Sequence, residues 1–203
     1  MTKKEDRRTA YSKMVIKEAL FELVKTKPLT KISVKEICEL ADINRCTFYA
    51  YYTDIYDLRD KITVDYEEKQ AELIDFVKSK LLKNIANLPD MPYRDYYDIC
   101  LYYFNLIKNN QQLCRFIYSQ NSDKTMNTVL SKHFFSQTMT VIGNNLPEQL
   151  IAKYKLTYTF ISGGTTAMIM TWLDNNCETP IELMAKQMSY YYYGIFNGHK
   201  ISK

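Results

Sequence analysis

The sequence predicts an all-α protein. Its 203 residues include only five glycines and five prolines, which argues against a loop-rich β fold. Apolar residues recur three and four positions apart over most of the chain, as they do in amphipathic helices. No segment alternates apolar and polar residues as a half-buried strand does. We therefore predict helices at 8–25, 34–41, 45–52, 55–87, 93–108, 111–119, 124–144, 148–175 and 181–196.

The first two helices are defined by their apolar stripes and their end signals. The stripe of the first helix is formed by Tyr11, Val15, Ala19 and Leu23, with Ile16, Leu20 and Val24 beside it. Pro28 cannot continue this helix. Ser33 and Glu36 have the spacing of a capping box, so the second helix is expected to begin directly after Ser33. Asp42 is one of the few residue types that tolerate a left-handed turn, and Asn44 is a good N-cap for the next helix.

The third predicted helix is too short to be stable alone and must pack on its neighbours. If Phe48 points inward, Tyr52 does so as well, because it lies one turn further on. The residues that then face away from the helical body are Cys46, Thr47, Tyr49 and Ala50, with Arg45 and Tyr51 on the flanks.

The chain is predicted to contain two functional domains joined by a long helix. Residues 1–53 form the first domain and residues 88–203 form the second. The linking segment 54–87 consists of helix four and its N-cap, Asp54. The segment "NLPDMP" marks the boundary, since its two prolines interrupt the helical pattern.

Charge and composition narrow the class of function. Residues 1–52 contain 11 basic and 7 acidic residues, whereas the remaining chain contains 16 of each. An N-terminal positive excess suggests a polyanionic partner, and a solvated basic face without a partner is the alternative. Five scattered cysteines and two histidines predict neither a disulfide framework, a metal site nor a cofactor. Without a long apolar run or a signal sequence, we expect a cytoplasmic protein without a membrane partner.

Two short helices joined by a tight turn, the second with a polar outer face, form a helix-turn-helix. The second helix of such a motif enters the major groove of DNA. Arg45 can bond guanine, Thr47 can contact a base, and the hydroxyls of Tyr49 and Tyr51 can reach phosphates. Ser33 and Lys35 could hold the DNA backbone. The alternative is an ordinary helical corner whose aromatic residues all lie in the core.

The segment "ISVKEICELADINRCTFYAYYTDIYDL", Ile32 to Leu58, resembles the DNA-binding signature of TetR-family transcriptional regulators. The resemblance implies an all-α homodimer with an N-terminal three-helix DNA-binding domain and a C-terminal helical domain for ligand binding and dimerisation. The DNA contacts then predicted are Ser33, Lys35, Asn44, Arg45, Cys46, Thr47, Tyr49, Ala50 and Tyr51.

The sequence departs from the family pattern at two positions. Asp42 stands where glycine is usual in the turn. Ile55 stands where a lysine usually opens helix four and grips a phosphate. Arg59, or the basic arm formed by Lys3, Lys4, Arg7 and Arg8, is expected to compensate for that lysine.

The C-terminal half suggests an effector site and a dimer interface. An aromatic-rich lining would suit an aromatic or amphipathic small molecule, although aromatic residues at helical spacing are commonly plain core. The predicted lining comprises Tyr103, Phe104, Phe116, Phe134, Phe160 and Met168. The segment 160–188 is similar to the end of many TetR-family members, and intramolecular packing is the alternative for its small residues. The predicted interface comprises Gly163, Gly164, Ala167, Thr171, Met184, Met188 and Tyr191.

Taken together, these features predict a ligand-responsive dimeric regulator that binds a palindromic double-stranded DNA operator. We expect this regulator to be a repressor. An alternative keeps the DNA-binding domain and replaces the unknown small-molecule effector by a protein partner. An enzyme is not expected, because the sequence offers no nucleophile–base set, phosphate loop or carboxylate pair in a supporting context.

Overall fold

The computed structural model describes residues 7–84, 91–118, 140, 144 and 148–197, and all regular secondary structure in these ranges is helical. No helix in them is long and apolar enough to cross a membrane. A 3-10 turn, Leu29–Lys31, precedes α2. The α-helices are α1 (Arg7–Val24), α2 (Val34–Leu40), α3 (Arg45–Tyr49), α4 (Ile55–Lys83), α5 (Tyr93–Asn109), α6 (Gln111–Tyr118), α7 (Glu148–Asp174) and α8 (Ile181–Asn197).

The all-α prediction is confirmed for the described residues, and most helix ends lie within one or two residues of their predicted positions. The regular part of α3 is shorter than predicted, because Ala50 is its C-cap and Tyr51 and Tyr52 form a turn whose amides both bond to the Phe48 carbonyl. The predicted helix at 124–144 lies outside the described residues except at 140 and 144.

The described residues form two compact units. The first contains residues 7–67 and 112–118, and the second contains 68–111, 140, 144 and 148–197. Helix α4 therefore contributes its first part to one unit and its second part to the other. The functional domains proposed from the sequence at 1–53 and 88–203 remain a prediction.

The first unit is built on the buried side of α1. Ser12, Ile16 and Leu20 are buried there, whereas Tyr11 is 62% exposed. The predicted stripe is thus wrong at Tyr11, because the helix is turned so that Ser12 faces inward and satisfies its hydroxyl by donating to the Arg8 carbonyl at 3.0 Å. Helix α1 contacts α2, and α2 contacts α3.

Helix α6 belongs to the first unit, although the sequence assigned it to the C-terminal half. Phe116 is buried, and its ring centroid lies 5.2 Å from that of Phe21 on α1. Two aromatic rings in contact bury a large apolar area. This contact explains why α6 groups with the N-terminal helices rather than with α5, which precedes it in the chain.

The second unit is centred on the extensive packing of α5 against α8, with α7 also contacting α8. Phe104 on α5 is fully buried and meets Trp172 on α7 edge-on, with ring centroids 5.2 Å apart. The Trp172 indole donates to the Thr179 carbonyl at 2.9 Å, so its polar edge is satisfied in the core. Lys80 on α4 pairs with Asp95 and Asp98 on α5 at 2.6 and 3.0 Å.

Candidate DNA-binding site

The entry to α2 is fixed by the predicted capping box. The Ser33 hydroxyl accepts from the Glu36 amide at 3.3 Å, and the Ser33 amide donates to the Glu36 carboxylate at 2.9 Å. The Ser33 hydroxyl also donates to that carboxylate at 2.8 Å. Lys27 forms an ion pair with Glu36, and this bond is the main reason that the pKa of Glu36 falls to about 2. The hydroxyl hydrogen of Ser33 is therefore already engaged before any phosphate arrives.

The turn between α2 and α3 is a helix C-cap of the Schellman type. Asp42 has a φ of 51°, as the sequence predicted for this position. The Ile43 amide donates to the Cys38 carbonyl at 3.0 Å, and the Asp42 amide donates to the Glu39 carbonyl at 3.4 Å. These two bonds satisfy the last carbonyls of α2 and set the direction in which α3 leaves the turn.

Helix α3 is anchored by the two aromatic residues that the sequence predicted to point inward. Phe48 and Tyr52 are buried, with ring centroids 5.6 Å apart. Asn44 is the N-cap, and its side-chain oxygen accepts from the Cys46 amide at 2.9 Å. A five-residue helix held in this way has a fixed rotation about its axis, so the face that it presents outward is also fixed.

The outward face of α3 carries most of the predicted DNA-contact residues. Tyr49 is 55% exposed, and its ring meets Phe48 edge-on. Thr47 and Tyr51 are half-buried. The exposed members are Asn44, Arg45, Cys46, Tyr49 and Ala50. The structure thus brings these seven residues together around one short helix, whose inner side is apolar and whose outer side is polar.

Ser33 and Lys35 lie at the start of α2, and both are exposed. The Lys35 ammonium lies 3.6 Å from the Glu39 carboxylate, one turn along the same helix. Because both members of this pair are exposed, the pair is a weak one and competes only modestly with a phosphate for the lysine.

Tyr51 and Tyr52 are held from the side by lysines that the sequence did not single out. The ammonium of Lys13 on α1 lies 5.8 Å from the centroid of the Tyr51 ring. The ammonium of Lys61 on α4 donates to the Tyr51 carbonyl at 2.8 Å and lies 5.2 Å from the Tyr52 ring. Lys61 therefore ties the end of α3 to the first turns of α4.

Asp57 contributes further bonds where the end of α3 meets the first turns of α4. Its carboxylate accepts from the Thr53 amide at 2.8 Å and from Lys61 at 3.0 Å, and the first of these bonds is the main cause of its lowered pKa. The Asp57 amide donates to the side chain of Asp54, which confirms Asp54 as the cap of helix four. The spacing of Asp57 and Lys61, one turn apart, was the available sequence signal for this network.

The position of the expected phosphate-binding lysine is held by Ile55, which is half-buried. Arg59, the first proposed replacement, pairs with Asp60 at 2.6 Å and lies over the Tyr56 ring at 5.2 Å. Arg7 and Arg8 are exposed at the start of α1, whereas Lys3 and Lys4 lie outside the described residues. The proposed compensation by these residues remains a prediction.

Within the described ranges, no group of three or more histidine, cysteine or acidic residues is placed to hold a metal ion. Among the cysteines, Cys46 is exposed on α3, whereas Cys38, Cys100, Cys114 and Cys177 are buried. Burial raises the pKa of the Cys100 thiol to about 12, so this thiol is a core residue rather than a reactive one.

The residues predicted to line an effector site belong to both units, and the site itself remains a prediction. Phe104 lies in the core of the second unit with Tyr103 beside it, at 6.2 Å between ring centroids. Phe116 is buried against α1 in the first unit. Phe160 on α7 is 74% exposed, and Met168 on the same helix is half-buried. Phe134 lies outside the described residues.

The predicted dimer residues divide into surface and core positions. Gly163, Gly164, Ala167 and Thr171 are exposed along one side of α7. Tyr191 on α8 is also exposed and accepts from the Gln187 side chain at 2.7 Å. Met184 is half-buried. Met188 is only 1% exposed, because the packing of α5 against α8 places it in the core of its own unit.

Comparisons with known proteins agree with this architecture. Residues 94–194 match a TetR-type family model described as a transcriptional regulator C-terminal region. No curated protein sequence is significantly similar to the chain.

Three solved structures share its fold. The fatty acid degradation regulator FadR from Bacillus halodurans has a TM-score of 0.59 and 14% identity, over 95% of this chain and 97% of that one. Bacillus subtilis FadR in complex with stearoyl-CoA has a TM-score of 0.55 and 14% identity, over 91% and 98%. NalD, the secondary repressor of the MexAB-OprM multidrug efflux pump in Pseudomonas aeruginosa, has a TM-score of 0.54 and 15% identity, over 95% and 98%.

Proposed function

We propose that the chain is a TetR-family transcriptional regulator and acts as a ligand-responsive dimeric repressor of a palindromic DNA operator. The observation that carries this proposal is the outward face of α3. Arg45, Thr47 and Tyr49 stand on a helix whose opposite side is locked by the buried ring of Phe48. A rigidly held polar helix face is what direct readout in the major groove requires.

The proposed roles of the contact residues follow from their environment. Arg45 is exposed, and the planar guanidinium of an arginine can donate two parallel hydrogen bonds to guanine. Asn44, Cys46 and Ala50 are exposed at or near the same short helix and are proposed to approach the groove walls. Tyr49 and Tyr51 are proposed to reach phosphates through their hydroxyls, Tyr49 from the exposed face of α3 and Tyr51 from the turn that follows the helix.

An exposed apolar strip on α7 supports the proposed dimer. Leu156 and Phe160 are 77% and 74% exposed, and Gly163, Gly164 and Ala167 continue the same side of the helix at intervals of three or four residues. Among the described residues, a Cβ added at either glycine meets no atom within 4 Å outside the adjacent backbone of its own helix. Packing within the described part of the chain therefore gives no reason for these glycines, whereas close approach of a partner helix would. We accordingly assign Phe160 to this interface rather than to the effector site.

The interface can be tested with glycine-to-alanine substitutions, because their expected effects on helix stability and on dimerisation are opposite. Gly163→Ala and Gly164→Ala should stabilise an isolated α7 by roughly 0.5–1 kcal/mol each, because glycine is a poor residue inside a helix. In a dimer that uses this face, the same changes should raise the dimer dissociation constant measured by sedimentation equilibrium. Gly194→Ala on α8, another open position, tests whether that helix takes part in the same interface. Unchanged dimerisation in both α7 variants would remove this strip from the interface.

We propose a long-chain acyl-CoA as the first effector class to test. Bacillus subtilis FadR, which shares the fold over 91% of this chain, was solved in complex with stearoyl-CoA. Stearoyl-CoA, free CoA and stearate should be titrated separately against the complex with DNA, and release by stearoyl-CoA alone is the expected result. If none of the three releases the DNA, the effector is of another class, and a protein partner becomes the candidate to test next.

Effector and operator would be coupled thermodynamically through α4. Its residues belong to the first unit up to 67 and to the second from 68 onward. An effector that favours a different arrangement of the DNA-binding units must weaken operator binding, and the operator must weaken effector binding by the same factor. Measuring both affinities, each with and without the other ligand, tests this reciprocity.

A further inference from the structure

The lysines of the first unit are mostly engaged with carboxylates. Lys17 pairs with Asp65, Lys25 with Glu22 and Lys27 with Glu36. Lys35 lies near Glu39, and Lys61 pairs with Asp57. Lys13 contacts the Tyr51 ring. Much of the positive charge counted in the sequence is thus neutralised within the folded unit.

Lys31 is the exception among the lysines that the structure describes in this unit. Its side chain is exposed, and no carboxylate, carbonyl or aromatic ring in the described part of the chain binds its ammonium. Its charge is therefore available to a partner from outside the chain, without an intramolecular bond that must first be broken.

The backbone around Lys31 is held rigidly at the entrance to α2. Lys31 ends a 3-10 turn in which its amide donates to the Pro28 carbonyl at 2.9 Å. Leu29 and Ile32 on either side are buried at 3% and 6% exposure. Ile32 and Ser33 are extended, so the exposed side chains of Lys31 and Ser33 flank a buried Ile32.

We propose that Lys31 binds a backbone phosphate of the operator from its position at the entrance to α2. This inference rests on the proposed function. Ser33 lies two residues away, but its hydroxyl hydrogen is engaged by Glu36. Lys31 thus supplies, at this end of the motif, a cation that no group in the described part of the chain binds. As a flexible point charge, a lysine can bind a phosphate without reading the base sequence.

Salt dependence distinguishes this role from a structural one. Neutralising one phosphate contributes about 0.9 to the slope of log affinity against log salt. Lys31→Gln should therefore lower the affinity for operator and random duplexes alike and flatten the slope by about one unit. Between 50 and 200 mM salt, the ratio of wild-type to variant affinity should fall about three- to fourfold.

The matched control is Lys25→Gln, which removes an equal charge from a lysine that pairs with Glu22. Lys31→Arg keeps the charge and should keep the wild-type slope. Thermal melts should show equal stability for all variants, since the Lys31 side chain makes no bond in the described chain.

Two results would overturn the inference. A Lys31→Gln slope equal to that of the wild type, with the wild type binding DNA, removes Lys31 from the phosphate contacts and leaves the proposed function intact. A wild-type protein that binds no duplex removes the proposed function, and with it this inference.

Discussion

In the first unit, the exposed side of α3 includes the polar or charged residues Asn44, Arg45 and Tyr49 above a buried aromatic base. In the second unit, the exposed side of α7 includes the large apolar residues Leu156 and Phe160 and several small residues, with Lys155 and Thr159 beside them. Both surfaces belong to helices whose other side is packed, so helix formation alone does not distinguish them. Polar groups are well solvated until DNA replaces the water, but a strip such as Leu156, Phe160 and Ala167 is unfavourable in water unless another surface covers it. This difference supports the proposals that the α3 face binds a polyanion and that the α7 face binds a second copy of the protein.

The largest expected effect is the loss of stability when a buried aromatic ring is removed, in contrast to the removal of an exposed one. Phe48→Ala should lower the free energy of unfolding of the first unit by roughly 3–5 kcal/mol, because it removes the ring on which α3 rests. Phe160→Ala should leave the free energy of unfolding of the second unit, which contains Phe160, nearly unchanged. It should instead weaken dimerisation. Guanidinium unfolding monitored by circular dichroism, together with sedimentation equilibrium, measures both. A comparable loss of unfolding free energy in the two variants would refute the assignment of Phe160 to an interface.

A smaller effect is expected at the α3 face itself. Arg45→Ala should weaken specific operator binding by roughly 1–3 kcal/mol and relax the preference at one base pair, because it removes a bidentate base contact. Thermal stability should not change, since the side chain is exposed. Binding selections from a random duplex pool compare the base preferences of variant and wild type. If the preference is unaltered, Arg45 takes no part in base readout.

An effect of about 1 kcal/mol is expected at a motif that the two units share. Asp42, two residues after the end of α2, has a φ of 51°, and Asn176, two residues after the end of α7, has a φ of 53°; each lies in a Schellman-type cap. Replacing either residue by glycine should stabilise its own unit by about 1 kcal/mol, because glycine has no Cβ to strain in this conformation. Differential scanning calorimetry measures the shift. Destabilisation by Asp42→Gly would mean that the aspartate side chain has a second, stabilising role.

The smallest expected effect concerns pH. Because the folded state lowers the pKa of Glu36 to about 2 from an ordinary value of 4.5, its carboxylate stabilises the first unit above pH 4.5, and this contribution is lost as the pH falls toward 2. Glu36→Gln should therefore flatten the dependence of the melting temperature on pH over this window. A variant that keeps the wild-type pH dependence would assign it to another group, such as Asp57, whose pKa is also lowered.

Local signals in the sequence predicted most of the helices and their caps. Ser33, Asn44 and Asp54 act as caps through bonds to residues two or three positions away, so their roles could be read from short patterns. The inward direction of Phe48 and Tyr52 followed from the period of a short helix.

Contacts between distant segments could not be predicted from such patterns. The pairing of Lys27 with Glu36 and the bond from Lys61 to the Tyr51 carbonyl depend on how separate elements pack. The same holds for Phe116 on α6, which meets α1 although the two helices are far apart in the sequence. For this reason the sequence identified the lysines that fit a motif but not Lys31, whose interest lies in the absence of an internal partner.

The most direct test of the account is a hydroxyl-radical footprint of the protein on DNA selected from a random duplex pool. Two copies joined through α7 and α8, each with an outward-facing α3, should protect two half-sites related by a dyad and centred about 34–36 Å apart along the duplex. Protection of a single half-site by a monomer, or of no defined site at all, would contradict the account.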